Sequence, residues 1–220
     1  MQAMELITID VQTISKKESG QKALSIMEEY KINHIPIVEK GVYIGIISEN
    51  EILDWENVKD KLSQHLNNIM NPSVFYNQHL FDIIEIIEKN HLSIIPVLDD
   101  NKKYIGSIST VDLIHAIGKS SAIKSPGGII VFEMNQSDYS MAEISRIVEA
   151  NNAKMLSSYI TSTPESTKIE VTIKINKIDI SSILKNFERF NYNIKTSFST
   201  DSINKKIMDR YESFMRYLNT

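Results

Sequence analysis

The chain contains no cysteine, and it is poor in glycine, proline and tryptophan, with 7, 5 and 1 residues of each. Without cysteine there can be no disulfide, no thiolate nucleophile and no cysteine-based metal site. No apolar run reaches the length that spans a membrane, and no basic region followed by an apolar core stands at the N-terminus. The sequence therefore predicts a cytoplasmic protein without a transmembrane helix or secretory signal.

Positive charge is also in short supply. The 24 Lys and Arg residues are outnumbered by 28 Asp and Glu residues, which gives a net charge of −4. Such a chain has no basic field for the phosphates of a nucleic acid, so we expect no nucleic-acid partner. The five histidines show no metal-ligand spacing, and no phosphate-binding Gly-x-x-x-x-Gly-Lys loop is present. The sequence therefore predicts no metal site, no cofactor and no catalytic residues.

The first half of the chain is instead an internal repeat. An apolar segment with a central proline occurs twice, 60 residues apart, as Ile35-Pro36-Ile37-Val38 and Ile95-Pro96-Val97-Leu98. A Gly-x-x-Ser-x-x-acid pattern follows each segment, as Gly45, Ser48 and Glu51 and again as Gly106, Ser109 and Asp112. A unit this small cannot bury its own apolar face, so two copies are predicted to pack around a pseudo-twofold axis.

Each copy is predicted to have the order strand, helix, strand, strand, helix. Residues 5–14 are predicted to form a strand of the first copy, and residues 56–71 a helix that leads into the second, because an apolar stripe runs through them. We assign residues 1–120 to the repeat pair, with copies at about 1–58 and 59–120.

The remainder of the chain has a different pattern. Residues 121–128 combine lysine, serine, proline and glycine and are predicted to be a linker. Residues 129–200 follow the order β-α-β-β-α-β of the ferredoxin-like arrangement. Residues 201–220 have the apolar periodicity of an amphipathic helix. The predicted fold class is thus α/β (α+β), with a duplicated module followed by a second domain.

The two copies resemble the CBS motif, the domain of cystathionine β-synthase that occurs in pairs. The residues that carry the resemblance are the proline-centred strands and the two Gly-x-x-Ser-x-x-acid patterns at matched spacing. The third segment looks like an ACT-type ligand-sensing domain by its element order. The whole chain is similar to bacterial CBS–ACT proteins, including those of acetoin utilisation.

The CBS resemblance implies a site for an adenosine nucleotide. In that family the serine and the acid bind the ligand, because a carboxylate can accept both hydroxyls of a ribose and a hydroxyl at a helix start lies near N–H groups that suit a phosphate. Ser109 with Asp112 matches the family pattern, whereas Ser48 with Glu51 departs from it by one methylene. The alternative for each acid is a carboxylate that only stabilises its helix N-terminus.

The expected ligand site also includes the segments around the prolines. Family members that bind phosphates carry basic residues just before the proline, and His34 is the only such residue here that can be charged. His34 could face the nucleotide held by Asp112; its alternative role is that of a half-buried strand residue with a backbone partner. Because no arginine is present there, we expect AMP rather than ATP. The other expected contact residues are Ile35, Pro36, Ile95 and Pro96.

These features predict a regulatory protein rather than an enzyme. We expect a homodimer that binds an adenosine-type ligand, couples it to the ACT-like domain and acts on an unknown protein partner. Residues 135–139, where ACT domains often bind an effector, contain no glycine, which favours a packing role for this domain. The main alternative is a structural or interaction module with decayed ligand sites. An enzyme assembled across the repeats is disfavoured, because no activated group is evident.

Overall fold

The structure is a computed structural model that describes residues 1–7, 12–119, 121–162 and 166–199. The chain forms two compact units, Met1–Gly118 and Lys119–Thr220. The division falls where the sequence repeat ends.

The two copies of the repeat fold into matching hairpins. In the first, β1 (His34–Glu39) pairs antiparallel with β2 (Val42–Ser48); in the second, β4 (Ile94–Leu98) pairs antiparallel with β5 (Tyr104–Ser109). The short β3 (Val74–Phe75) adds to β4 in parallel. Both hairpins shift register at equivalent points, after Ile37 and after Val97. The duplicated sequence therefore produces duplicated backbone irregularities as well as duplicated strands.

Each hairpin lies between two helices. The preceding helices are α2 (Gly20–Tyr30) and α4 (Leu80–Lys89), and the following ones are α3 (Glu49–Leu53) and α5 (Thr110–Gly118). The two preceding helices bury an apolar stripe at helical spacing, which consists of Ala23, Ile26 and Met27 in α2 and of Leu80, Ile83 and Ile87 in α4. These side chains and the proline-centred strands form one continuous core.

The segment that leads into each copy packs on the other copy. The first helix, α1 (Ala3–Leu6), lies on the second copy, where the N–H of Ala3 donates to the carbonyl of Gln78 over 2.9 Å. In the opposite direction, residues 61–70 return to the first copy, where the N–H of Leu62 donates to Glu18 O over 2.9 Å and the N–H of Ile46 donates to Met70 O over 2.9 Å. The two copies are therefore interlocked, because each completes the fold of the other.

Two sequence predictions in this unit were wrong. Residues 56–71 are not one helix: they contain two short 3₁₀ turns, Leu62–Gln64 and Leu66–Asn68. Leu62 of the predicted apolar stripe is buried, but the backbone N–H groups of residues 62 and 63 donate to the loop before α2 instead of to a helix of their own. Residues 5–14 are not one strand either, because residues 3–6 are helical and Ile14 makes only an isolated bridge to Ile37. Residues 8–11 lie outside the described part.

The second unit forms, within its described residues, an antiparallel sheet of four strands. Its elements are α6 (Ser121–Lys124), β6 (Gly128–Asn135), α7 (Met141–Ala150), β7 (Met155–Ser162), β8 (Lys168–Ile175), α8 (Ser181–Arg189) and β9 (Ile194–Phe198). The strand order β7-β8-β6-β9 with two helices is the ferredoxin-like βαββαβ arrangement that the sequence predicted. The predicted linker 121–128 contains the helix α6.

The core of the second unit lies between the sheet and the helices α7 and α8. Phe132 and Phe187 are fully buried, and their ring centroids lie 4.6 Å apart. Tyr192 meets both rings edge-on at 5.5 and 5.3 Å. The predicted helix 201–220 lies outside the described residues. Within the described ranges, no helix has the length and apolarity needed to cross a bilayer.

Candidate ligand-binding site

The serine and the acid of the first copy form a capping box at the start of α3. Glu51 Oε2 accepts hydrogen bonds from the backbone N–H and the hydroxyl of Ser48, both at 2.7 Å. In return, Ser48 Oγ accepts the N–H of Glu51 at 3.2 Å. This arrangement satisfies two helix-terminal donors at once. The carboxylate is exposed to solvent, and its contacts among the described residues are made by Oε2.

The second copy repeats this arrangement at the start of α5. Asp112 Oδ2 accepts the hydroxyl of Ser109 at 2.5 Å and its backbone N–H at 3.3 Å, and Ser109 Oγ accepts the N–H of Asp112 at 3.1 Å. Unlike Glu51, Asp112 is half-buried. In each copy the predicted serine therefore contacts the predicted acid. These contacts also give each pair the helix-stabilising role that the sequence left open.

His34 connects the two copies. Its Nδ1 atom lies 3.2 Å from the backbone nitrogen of Ser93 and 3.1 Å from the hydroxyl of the same residue. Ser93 Oγ also accepts the N–H of Asn33 at 2.9 Å. Ser93, which occupies the position in the second copy that Asn33 occupies in the first, is therefore the main polar contact between the copies at this point.

Strand pairing sets the surroundings of His34. Its cross-strand neighbour is Ser48, which brings the imidazole near Glu51, whereas the cross-strand neighbour of Ser109 is Ile94. Burial lowers the pKa of His34, and the negative charge of Glu51 opposes this effect. His34 is thus a half-buried histidine with a backbone partner in the other copy, and strand pairing places it beside Ser48 and near Glu51.

The four remaining predicted contact residues lie in the core. Ile35, Pro36, Ile95 and Pro96 are all buried. Their side chains fill the space between the hairpins and helices, and the Pro36 carbonyl accepts the N–H of Ile14 at 3.0 Å. Contact of these residues with a ligand stays a prediction.

A pocket of about 400 Å³ lies beside the acid of the first copy. Its apolar surface comes from Ile47 and Ile69, and the amides of Gln64 and Asn67 add hydrogen-bonding groups. The carboxylates that line it are those of Glu51 and Asp54. This volume is in the range of small-molecule sites.

An aromatic pair forms one wall of this pocket. The rings of Trp55 and His65 stack with their centroids 3.8 Å apart and their planes at 11°. A Cβ atom at Gly20 would lie 2.6 Å from the Trp55 ring, so the glycine allows the close approach of the indole to α2. His65 Nε2 lies 3.4 Å from a carboxylate oxygen of Asp60, and this contact helps to orient the imidazole ring against the indole.

Sequence reasoning missed most of this pocket. The sequence pattern predicted one helix over residues 56–71 and did not indicate that Gln64 to Ile69 would lie beside Glu51. The only available signal was Trp55, the single tryptophan of the chain, four residues after Glu51. The position of residues 64–69 could not be predicted, because it depends on the return of this segment to the first copy.

A second pocket, of about 380 Å³, lies in the C-terminal unit at the end of β6. Ion pairing at 2.8 Å joins Lys168 to Glu133, and the Tyr192 hydroxyl donates to Glu143 at 3.1 Å. Burial and the neighbouring Glu143 raise the pKa of Tyr192 to about 12. The pocket adjoins residues 135–139, where the missing glycine argued against an effector site; a 3₁₀ turn, Gln136–Asp138, lies there.

Known proteins match about half of the chain. An uncharacterized protein of Methanocaldococcus jannaschii is 27% identical over 115 residues, which are 51% of this chain and 42% of the relative. The homoserine O-acetyltransferase of Methanococcoides burtonii is 30% identical over 118 residues, which are 52% of this chain and 24% of the enzyme. The match thus spans less than half of each of these relatives.

Among solved structures, a CBS domain pair/ACT domain protein from Thermotoga maritima is 17% identical with a TM-score of 0.48, over 55% of this chain and 99% of that one. The family model of the CBS domain matches residues 3–57 and 66–119. Both matched segments carry one proline-centred strand and one serine–acid pair. The chain therefore belongs to the CBS-domain proteins and contains a tandem CBS pair.

Proposed function

We propose that the CBS pair is a regulatory sensor of an adenosine-type nucleotide, with AMP as the favoured ligand, and that it is coupled to an ACT-like domain formed by the C-terminal unit. The observation that carries the proposal is the duplicated serine–acid pair at the start of α3 and α5, within a matched pair of CBS domains. CBS pairs act as ligand-sensing modules.

The second copy is the favoured nucleotide site. Asp112 has the carboxylate that suits a ribose diol, and α5 has nine residues, so its N-terminus presents N–H groups and a positive dipole end toward a phosphate. No lysine or arginine occupies positions 33, 34, 93 or 94. With few cationic groups to oppose several negative charges, a monophosphate is favoured over a triphosphate.

Signalling requires that the ligand favour one arrangement of the protein. The contact between His34 and Ser93 spans the two copies beside the first serine–acid pair. A ligand bound between the copies would change this contact, and its differential affinity for two arrangements would shift their populations. We propose that the C-terminal unit responds to this shift and passes it to a partner protein in the cytoplasm.

The same proposal includes a homodimer. Val111 and Ile114 lie three residues apart on α5, and their side chains are 56% and 68% exposed. Residues at this spacing share one helix face, and exposed aliphatic side chains on one face are typical of a surface that another subunit covers. A second copy of the chain is the simplest partner, because most homo-oligomers are twofold dimers.

A thermal-shift series tests the sensor. The panel contains AMP, ADP, ATP, S-adenosylmethionine, NADH and free amino acids. A ligand present at 100 times its dissociation constant adds about 2.7 kcal/mol of stability, which corresponds to about 5–10 °C in a domain of this size. We expect AMP to give this shift and Asp112→Asn to remove it, while Glu88→Gln on the exposed face of α4 retains it.

A structural module with decayed ligand sites is the second candidate. The observation in its favour is that Glu51 and Asp112 each accept two hydrogen bonds from a capping serine, so helix stabilisation alone gives both carboxylates a role. This candidate predicts no thermal shift with any compound of the panel, together with a loss of stability when either capping serine is removed. A shift that depends on Asp112 would contradict it.

A further inference from the structure

We infer that the pocket of the first copy, beside Glu51, takes a nucleoside that carries no phosphate, so that the two copies select ligands of different charge. This inference rests on the proposed function, because it concerns the ligand class of one of the two sites. It follows from the groups that line the pocket and from the length of the helix behind it.

The pocket has the groups that a nucleoside requires. The side chains of Ile47 and Ile69 offer an apolar surface for a base. The amides of Gln64 and Asn67 can donate to and accept from the polar edge of a base. Glu51 Oε2 is engaged by Ser48, which leaves Oε1 able to accept a ribose hydroxyl.

The charge of the pocket opposes a phosphate. Two of its lining residues, Glu51 and Asp54, are carboxylates, and no lysine or arginine is among the lining residues within the described ranges. His65, which also lines the pocket, faces the carboxylate of Asp60 instead of presenting a free cation to a ligand. The two carboxylates would thus repel an anionic ligand, and among the described residues no lining lysine or arginine would offset this repulsion. A ligand with a neutral or cationic 5′ group would not be repelled.

The helix behind the pocket provides little help for an anion. α3 has five residues, whereas α5 in the second copy has nine. The serine hydroxyl caps both helices in the same way, so the two helix N-termini differ here in helix length and not in this hydrogen bond. The first copy therefore differs from the second in its shorter helix and in having a glutamate where the second has an aspartate.

The test compares adenosine compounds that share the base and ribose and differ in the 5′ group, whose charge runs from positive to strongly negative. These are 5′-amino-5′-deoxyadenosine, adenosine, AMP and ATP, titrated against the full-length chain while the fluorescence of Trp55 is recorded. Because Trp55 is the only tryptophan and lies in the pocket wall, its signal reports on the first copy. We expect affinity to fall in the order given, with AMP bound about tenfold more weakly than adenosine.

The variants separate charge from shape. Asp54→Asn should reduce the difference between adenosine and AMP to about threefold or less, whereas Glu56→Gln, at an exposed neighbouring position that does not line the pocket, should leave it unchanged. An Asp112→Asn background removes the contribution of the second site. If that variant does not fold, the Trp55 signal of the unmodified chain gives the same ranking.

The outcomes distinguish the two proposals. Equal or tighter binding of AMP at the Trp55 pocket would overturn the inference and leave the nucleotide sensor intact. The absence of a Trp55 response to all four compounds, together with an AMP thermal shift that depends on Asp112, would also overturn it. If no adenosine compound changes either signal, the proposed function itself fails.

Discussion

The Nδ1 atom of His34 lies 3.2 Å from the backbone nitrogen of Ser93, so a side chain of the first CBS domain accepts a hydrogen bond from the main chain of the second. A backbone N–H can only donate, and Nδ1 must therefore carry a lone pair while the proton of the neutral ring is on Nε2. Protonation of Nδ1 would set two donors against each other. The contact thus requires the neutral imidazole.

Stability should consequently fall at acidic pH. Because the folded state lowers the pKa of His34 below its ordinary value of 6.5, the unfolded chain takes up the proton first as the pH decreases. The contribution of this group is fully present above about pH 6.5 and is lost as the pH falls toward the folded-state pKa. Urea unfolding at a series of pH values measures the effect.

The matched variants are His34→Gln and His115→Gln. The first retains an acceptor but cannot titrate, so the pH dependence between neutral and mildly acidic conditions should become smaller. The second removes an exposed histidine of α5 and should leave the dependence unchanged. An unchanged pH profile in His34→Gln would show that other groups cause the loss of stability.

Removal of the capping serines should destabilise the CBS pair. Ser48→Ala and Ser109→Ala each delete the hydroxyl that accepts a first-turn N–H and donates to the carboxylate. The expected loss is about 0.5–2 kcal/mol of unfolding free energy for each, measured by urea denaturation. Ser63→Ala, at an exposed position in a 3₁₀ turn, is the control and should change it by less than about 0.5 kcal/mol.

Gly20→Ala should perturb both stability and the fluorescence of Trp55. The added Cβ would lie 2.6 Å from the indole ring, 2.7 Å from Ile52 Cγ2 and 2.9 Å from Val58 O, so neighbouring atoms have to move. We expect a loss of about 1–3 kcal/mol and a shift in emission, because the indole is forced against His65.

The control for this prediction is Gly118→Ala. A Cβ at that position, the last residue of α5, would meet no atom within 4 Å. Alanine favours helix, so the variant should be neutral or more stable by up to about 1 kcal/mol, with unchanged emission. Comparable losses in the two variants would contradict the steric explanation.

Ile114→Glu should weaken the proposed dimer. Ile114 is 68% exposed, so a charge there costs little in a monomer but would be buried without a partner in an interface. Size-exclusion chromatography with light scattering should give a dimer for the unmodified chain and a larger monomer fraction for the variant. Ile123→Glu, a similarly exposed isoleucine on α6, is the matched control. A monomeric unmodified chain would refute the dimer.

The repeat made the hairpins and their order predictable. The proline-centred strands and the serine–acid pairs are local patterns, and each recurs at matched spacing, so the pairing of β1 with β2 and of β4 with β5 could be expected. The βαββαβ order of the second unit was also predictable, because each of its elements has a local sequence pattern. Alternation of apolar residues in β8 and helical periodicity in α7 and α8 are properties of contiguous sequence.

The pocket of the first copy could not be predicted in this way. Its far side comes from Gln64 to Ile69, which the sequence pattern indicates to be helical and which tertiary hydrogen bonds hold as 3₁₀ turns instead. The pairing of His34 with Ser93 likewise joins residues 59 positions apart. Long-range contacts of this kind leave no trace in local periodicity.

Because the segment that leads into each copy packs on the other copy, the two copies cannot be separated by one cut without loss of contacts. A cut near residue 59 would separate α1 from the second copy, on which it packs, and residues 61–70 from the first copy, so neither fragment would contain a complete fold. Each fragment would, however, carry the portion that the other lacks. The two halves should consequently be poorly folded when expressed singly and should reassemble when produced together, as a split protein does.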